Sequence, residues 1–260
     1  MAYFVYILAG LGAGIVTGLA GLSAAVVITP LLVSLCHWNG YDAVTVALAS
    51  DVFASLLSAY TYYKNRNIDV KRGLLVTLTA FAGTVVGSWC GYLFTQAQPD
   101  GLGYLSMLTT VFLGIKFLVK PMTSGSDTAS AMGDGAAKRK TWLAMLFVCL
   151  IGWVCGFTGS GGGVLMLTVF TLVLGYNLKI AVGTSTMIMT AVALTGAVSH
   201  VSMGAAIYPL PMCIVVLSCL AGAIVSAKFA NRCEIGRLNR IVGIVLLILG
   251  VSTIAIQVLT

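Results

Sequence analysis

The residue pattern best suited to chemistry in this sequence is a glycine-rich cluster inside an apolar stretch. Residues 159–163 have the sequence Gly-Ser-Gly-Gly-Gly, and an apolar segment begins near Val164. Glycine lets the backbone approach a ligand closely, and the free N–H groups at the start of a helix attract an anion. The pattern therefore predicts an anion site formed by Ser160, Gly161, Gly162 and Gly163.

A weaker version of this pattern lies near the amino terminus. Residues 21–25 have the sequence Gly-Leu-Ser-Ala-Ala, so Ser23 is a candidate for the opposite half of the site. The alternative is helix packing, because small residues at four-residue spacing let helices approach closely. We prefer packing for the glycines within residues 83–91. Three adjacent glycines serve packing poorly, which favours a binding role for residues 161–163.

Polar side chains inside apolar segments form the second group of candidates. Asp51 lies near the centre of its segment. A charge at the bilayer centre costs roughly 2.5 to 3.5 kcal/mol, so we expect Asp51 to face the interior or to carry a proton. It is a candidate for substrate binding and for proton coupling. The hydroxyl candidates for substrate binding are Ser50, Thr184, Ser185 and Thr186. Their alternative role is a hydrogen bond to their own helix backbone.

His200 is the second candidate for proton coupling, because an imidazole titrates near neutral pH. The alternative is a structural histidine close to the membrane boundary. The seven cysteines show no CxxC spacing, and no group of residues has the spacing of metal ligands. We expect no metal and no cofactor.

The composition indicates a membrane protein. Hydrophobic residues make up 59% of the 260 residues and charged residues only 8%, and the mean hydropathy is +1.04. A water-facing surface needs about a quarter charged residues, so this surface must face lipid. The net charge of +7 lies mostly in three short connections. Positive-inside bias explains these connections without nucleic acid as a partner.

Apolar stretches of about 20 residues can each cross the hydrocarbon once as a helix. Six stretches have this length: residues 43–63, 73–96, 102–119, 180–203, 206–227 and 239–258. The stretches 4–36 and 141–175 are too long for one crossing and are interrupted by glycines. We interpret each of these two as a broken hairpin that turns near its middle and returns. A returning hairpin keeps all three basic connections on the cytoplasmic side.

The chain divides into two related halves. Residues 1–120 form the first half, residues 121–140 a flexible cytoplasmic linker, and residues 141–260 the second half. GIVTGLAGLSAAVVITP in the first half resembles GWVCGFTGSGGGVLMLT in the second, and ALASDV around Ser50 lies opposite VGTSTM around Ser185. A hairpin ends on the side of the membrane where it began, and three spans then carry the chain to the other side. The second half therefore begins on the opposite side from the first and has the opposite orientation. The predicted fold is therefore an all-α polytopic membrane protein built from two inverted repeats.

Inverted repeats with broken helices are typical of secondary transporters, whose substrate binds near the midplane. The first alternative is an intramembrane serine hydrolase with Ser160 as nucleophile and His200 as base. The repeat favours transport, because hydrolysis needs no duplication. A passive anion channel is the third interpretation. The expected partners are a small anionic solute and membrane lipid, and a homodimer is compatible with the sequence.

Several short motifs together resemble the TauE/SafE family of sulfite and organosulfonate exporters. In the second half they are GFTGSGGGVLML at 156–167, AVGTST at 181–186, and His200 followed by Gly204. The first half has GxxxGLxG at 14–21, Pro30 and Asn-Ile-Asp at 67–69. The resemblance implies export of a small sulfur oxyanion across the cell (inner) membrane by alternating access.

The first half departs from the family pattern at two places. It has Leu-Ser-Ala-Ala where the resemblance implies a glycine cluster, and Ala-Ser-Asp where it implies Gly-Thr-Ser. The site is therefore uneven between the halves. A carboxylate beside an anion is repulsive unless protonated, so Asp51 is expected to link anion movement to a proton.

Overall fold

The computed structural model of the chain describes residues 2–98, 101–119, 134–160, 162–230 and 235–259. Within these ranges the secondary structure consists of ten α-helices. They are α1 (Ala2–Ala20), α2 (Ala25–Cys36), α3 (Gly40–Lys64), α4 (Val70–Ala97), α5 (Gly101–Val119), α6 (Asp134–Thr158), α7 (Gly162–Leu172), α8 (Leu178–Ser202), α9 (Pro209–Ala230) and α10 (Ile235–Leu259). Most of the predicted linker lies outside the described residues.

Both long apolar stretches are broken into two helices, as predicted. Gly21 directly follows α1 and Gly159 directly follows α6, with φ angles of +65° and +68°. The N–H of each glycine still bonds the carbonyl four residues earlier, at 2.8 Å. Only glycine adopts this left-handed conformation without strain, so the chain leaves the helix there. The second arms, α2 and α7, have 12 and 11 residues, about 18 and 16 Å at 1.5 Å per residue.

The outer surface of the bundle is apolar. Among the described residues, six helices are long and apolar enough to cross a membrane. Large hydrophobic side chains face outward, including Trp142 at 72% and Leu78 at 69% exposure. Helices of this length and polarity match the hydrocarbon thickness. The chain is a polytopic membrane protein.

The two halves share one backbone register. Asn39 and Asn177 cap α3 and α8 with their side chains and lie 138 residues apart. At the other ends of these helices, Arg66 and Gly204 have positive φ and keep the same spacing. α3 and α8 are both 25 residues long. These two helices are therefore equivalent residue by residue.

This register agrees with the alignment of the glycine motifs, which sets Gly21 opposite Gly159, and corrects the alignment of the second motif. The sequence comparison set Ser50 opposite Ser185, a spacing of 135 residues. With both ends of α3 and α8 fixed at a spacing of 138, Ser50 is instead equivalent to Ile188 and Asp51 to Met189. The motifs around Ser50 and Ser185 are similar in composition, so they were aligned three residues, or about one helical turn, out of register.

Helices from different halves pack closely in matched pairs. α1 packs on α9, and its equivalent α6 packs on α4. A Cβ on Gly14 would overlap the Cys219 carbonyl, and one on Gly152 would overlap the Ala80 carbonyl. Glycine is required at both positions because another backbone occupies the space. Each half therefore depends on the other for its packing.

The equivalent helices α3 and α8 pack against each other at the centre of the bundle and run antiparallel. Thr45, near the start of α3, lies 3.3 Å from His200, near the end of α8. Farther along, the hydroxyls of Ser55 and Thr190 are 3.0 Å apart. These pairs bring polar side chains of both halves to one central seam.

Candidate functional site

The two helix breaks meet in the interior of the bundle. The Ser23 hydroxyl donates a hydrogen bond to the Gly159 carbonyl at 2.9 Å. A Cβ on Gly163 would overlap the Gly21 carbonyl oxygen. Gly163 therefore has a packing role in addition to the predicted binding role. These contacts bring the segment between α1 and α2 against the break before α7 and the first turn of α7.

Asp51 is buried at this meeting point with no hydrogen bond. It is the twelfth residue of the 25 in α3, its exposure is 0%, and neither carboxylate oxygen has a partner among the described residues. The Ser23 hydroxyl and the Ala24 N–H face the carboxylate from α2. The structure confirms that Asp51 faces the interior. A buried carboxylate without a partner is unfavourable unless it gains a proton or a ligand.

The first turn of α7 is covered by two sulfur atoms. A Cβ on Gly162 would overlap Sγ of Cys155 and lie 3.0 Å from Sδ of Met189. The Gly162 N–H points to the Cys155 sulfur. Sulfur is a weak acceptor, so an anion would be a stronger partner for this N–H. In this conformation the predicted anion site is filled by side chains.

The remaining residues of the glycine loop are held by local hydrogen bonds. The Ser160 hydroxyl and the Ser160 N–H both lie 3.2 Å from the hydroxyl oxygen of Thr158. Ser160 is fully buried. Gly161 lies outside the described residues. The loop is thus a tight turn closed by Thr158, which the sequence analysis did not select.

Most of the hydroxyl candidates bond to their own helix, which was the alternative prediction for them. Ser50 donates to Val46, and Ser185 and Thr186 donate to Val182, at 2.8 to 3.0 Å. Ser185 and Thr186 nevertheless flank the first break. A Cβ on Gly21 would lie 3.4 Å from the Ser185 hydroxyl and 3.3 Å from the Thr186 methyl.

Thr184 belongs to a different contact, at the connection between α3 and α4. Its hydroxyl accepts a hydrogen bond from the Asp69 N–H at 3.1 Å. The Tyr176 hydroxyl donates to the Asp69 carboxylate at 2.6 Å. Burial raises the pKa of Tyr176 above its usual value, and the hydrogen bond to Asp69 raises it further. These bonds tie the α3–α4 connection to the α7–α8 connection.

His200 is buried in the last turn of α8, and the hydrogen bonds of its ring agree with the structural alternative. Its exposure is 0%, because α3 and α6 cover the end of α8. Its Nε2 lies 3.1 Å from the Gly156 carbonyl and its Nδ1 3.3 Å from the Thr45 hydroxyl. A carbonyl only accepts hydrogen bonds, so Nε2 carries the proton. The ring stacks on Tyr41 at 4.4 Å.

Cys155 and Met189, which cover the start of α7, were not predicted from the sequence. Both look like ordinary core residues in an apolar segment. The signal that could have found Met189 is the pair of asparagine caps, Asn39 and Asn177, because their spacing sets the register of the two halves. No comparable sequence signal distinguishes Cys155.

A polytopic bundle whose two broken helices meet at a buried, unpaired carboxylate defines a class of protein, the membrane transporters. Comparison with known proteins agrees with this class. Residues 6–253 match the family described as sulfite exporter TauE/SafE, and the chain belongs to that family.

Two curated relatives come from Bacillus subtilis (strain 168). The chain is 28% identical over 220 residues to "Probable membrane transporter protein YunE", an alignment that covers 78% of this chain and 80% of the relative. It is also 28% identical over 219 residues to "Probable membrane transporter protein YdhB", covering 84% and 86%. Both names describe transporters, and neither specifies a substrate.

Proposed function

We propose that the chain is a secondary transporter that exports a small sulfur-containing anion, sulfite or an organosulfonate, across the cell (inner) membrane. The observation that carries the proposal is Asp51, buried and unpaired where two half-helix starts meet. Such starts present free N–H groups to an anion. The family description supplies the substrate class. A homodimer remains a prediction from the sequence.

Alternating access would follow from an inverted relation between the halves. Three features support this relation: the shared register of 138 residues, the antiparallel course of α3 and α8, and the matched packing of α1 on α9 and α6 on α4. In such a design one half rocks against the other around a central site. On this proposal residues 1–120 and 141–260 are the moving units.

The groups around Asp51 favour a proton as the coupling ion over a metal cation. The Ala24 N–H that faces the carboxylate is a hydrogen-bond donor, and the Ser23 hydroxyl beside it donates its proton to the Gly159 carbonyl. A bound sodium ion would need several oxygen acceptors, and an N–H cannot coordinate it. Protonation of Asp51 would remove the negative charge that repels an arriving anion.

The alternative of a serine hydrolase has less support. Ser160 bonds Thr158, while His200 bonds Thr45 and Gly156. The two residues therefore make separate hydrogen bonds and do not form a nucleophile–base pair. A passive channel needs an open path through the centre of the bundle, whereas Asp51 at that centre is fully buried. The flux experiment below distinguishes a channel from a coupled transporter.

The test is transport of labelled sulfite into proteoliposomes, with and without a pH gradient. A coupled transporter accumulates sulfite above the level in empty liposomes subjected to the same gradient, whereas a channel only equilibrates it. In Asp51→Asn, which resembles the protonated carboxyl in shape and charge, flux should persist and the extra accumulation should be lost. Asp51→Ala, which also removes the hydrogen-bonding group, should transport less. An Asn variant with unchanged gradient dependence would show that coupling lies elsewhere.

A further inference from the structure

The shared register pairs Asp51 with a neutral thioether in the other half. Asp51 and Met189 lie 138 residues apart, the same spacing as the caps of α3 and α8. Ala24 and Gly162, at the starts of the two short helices, also keep this spacing. Four residues therefore form two equivalent pairs.

The contacts within these pairs are equivalent as well. The Asp51 carboxylate faces the Ala24 N–H at the start of α2. Met189 places its Sδ 3.0 Å from where a Cβ on Gly162 would lie, at the start of α7. Each side chain thus packs on the short helix of its own half. One start has a carboxylate in front of it, and the other has an uncharged sulfur.

This difference changes what each helix start can bind. A helix start carries a partial positive charge, which a carboxylate complements and a thioether does not. Asp51 therefore already supplies an anion to α2. The start of α7 has only the sulfurs of Met189 and Cys155. Methionine has three flexible side-chain bonds and can move aside for a ligand.

The two starts are too close to hold two anions at once. Cys155, which covers the start of α7, is close enough to the Asp51 carboxylate at the start of α2 to interact with it electrostatically. Two like charges about 4 Å apart repel by about 4 kcal/mol at an effective dielectric constant of about 20. A substrate anion at α7 therefore requires an uncharged Asp51.

We propose that Asp51 and Met189 make the two half-sites unequal, so that Asp51 is a tethered anion of the α2 half-site and the substrate anion binds only at the α7 half-site. The substrate displaces the Met189 side chain when Asp51 is protonated. This inference rests on the proposed anion transport and deepens it, because it assigns one substrate anion to one half.

The titratable neighbours of Asp51 do not provide its proton. Among the described residues, the thiols of Cys155 on α6 and Cys219 on α9 interact with the carboxylate. Both are buried. The described part of the chain places no basic side chain in hydrogen-bonding contact with Asp51. The proton comes from water on the side to which the site opens.

The internal equivalence supplies matched variants for the test. Met189→Asp puts a second carboxylate at the centre, and Met189→Asn is its uncharged control of the same shape. The double variant Asp51→Met/Met189→Asp moves the single carboxylate to the other half. Sulfite binding is measured on the purified full chain of each variant across the neutral pH range. Sulfite itself changes protonation in this pH range. Because that change affects Met189→Asp and Met189→Asn equally, the ratio of their affinities at each pH reports only the added carboxylate.

At neutral pH, Met189→Asp should bind sulfite about tenfold or more weakly than Met189→Asn, because two carboxylates then oppose the anion. The gap should close as the pH falls and the carboxylates gain protons. The double variant should recover binding relative to Met189→Asp. Equal binding by the Asp and Asn variants at neutral pH would overturn the inference, and so would a double variant no better than Met189→Asp.

Thermal unfolding separates this inference from the proposed function. If the wild-type chain binds no sulfite, the proposed substrate is wrong, but the unequal half-sites are still testable by stability. Met189→Asp should melt below Met189→Asn when both carboxylates are charged, and the difference should disappear at lower pH. The double variant, with one carboxylate, should melt near the wild type. A constant difference across pH would contradict the equivalence of the two positions.

Discussion

At the scale of single residues, the buried polar groups separate into two kinds. Asp51 has no hydrogen-bond partner among the described residues, whereas both ring nitrogens of His200 have one. An unpaired buried group is poised to change its protonation or to bind a ligand, while a satisfied one holds structure. The geometry therefore favours Asp51 over His200 as the coupling residue.

Replacement of His200 should lower stability without changing the pH dependence of transport. His200→Ala leaves the Gly156 carbonyl unpaired and removes the ring stacked on Tyr41, so we expect a loss of about 2 to 4 kcal/mol in the free energy of unfolding. His200→Gln retains an N–H donor and should lose less. Thermal unfolding in detergent measures both effects. A stable His200→Gln protein that has lost its pH dependence would instead place His200 in the proton path.

At the scale of the helices, the breaks combine backbone freedom with close packing. Gly21 and Gly159 supply the left-handed turns. Gly162 and Gly163 are required for a different reason, because other atoms occupy the space of their missing side chains. For Gly162 the neighbour is the Cys155 side chain, and for Gly163 it is the Gly21 backbone.

The nature of these neighbours predicts which glycine substitution can be rescued. Gly162→Ala and Gly163→Ala should each destabilise the protein by about 1 to 3 kcal/mol through overpacking. Cys155→Ala removes the sulfur and should restore stability to Gly162→Ala. Cys155→Ala should not rescue Gly163→Ala, the matched control, because the atom in the way there is the Gly21 carbonyl oxygen, which no side-chain substitution removes. Thermal unfolding of the single and double variants measures this. Equal rescue of both would show that the local packing at α7 is loose.

A rescued Gly162→Ala/Cys155→Ala protein also tests the binding role of α7. The extra methyl still stands beside the N–H groups that the proposal assigns to the anion. Sulfite transport should therefore stay low although the fold is restored. Normal transport by this stable variant would leave Gly162 with a packing role alone.

At the scale of the whole molecule, the chain packs as two halves that complete each other. The α3–α4 connection bonds the α7–α8 connection through Asp69 and Tyr176. At the opposite end, the Asp42 carboxylate accepts a hydrogen bond from the Ala206 N–H at 2.9 Å. Each end of the bundle thus has a hydrogen bond between the two halves. Opening of one end while the other stays closed is what alternating access requires.

The positions of the connections predict their sidedness. In a background whose native cysteines outside the core are replaced by alanine, Asn65→Cys should react with a membrane-impermeant thiol reagent from the cytoplasmic side. Gln98→Cys and Ile207→Cys should react from the other side. All three positions are exposed, and the basic residues near residue 65 favour the cytoplasm. Labelling of positions 98 and 207 from opposite sides would contradict the inverted relation of the halves.

The sequence by itself determined the membrane class, both helix breaks and four of the predicted full spans, 43–63, 73–96, 180–203 and 206–227, which match helices long enough to cross a membrane among the described residues. The other two crossing-length helices, Ala2–Leu19 and Arg139–Thr158, are the first arms of the broken stretches, and the helices at 102–119 and 239–258 have shorter apolar segments. These features depend on local properties: about 20 apolar residues suffice to cross a bilayer, and glycine alone adopts the turn at Gly21 and Gly159 without strain. Asp51 could also be placed in the interior, because a carboxylate exposed to lipid is too costly.

Only the tertiary structure decided which residues share the centre. The bond from Ser23 to Gly159 joins residues 136 positions apart, and neither hydropathy nor helical periodicity carries information over such distances. The spacing of 138 residues that pairs Asp51 with Met189 is present in the glycine motifs, but only the caps and ends of α3 and α8 showed that it continues through these helices. The burial of His200 depended on α3 and α6 covering it, and the sulfurs over Gly162 were indistinguishable from core residues in sequence. Contacts between helices are selected by packing, which the order of residues along one helix does not specify.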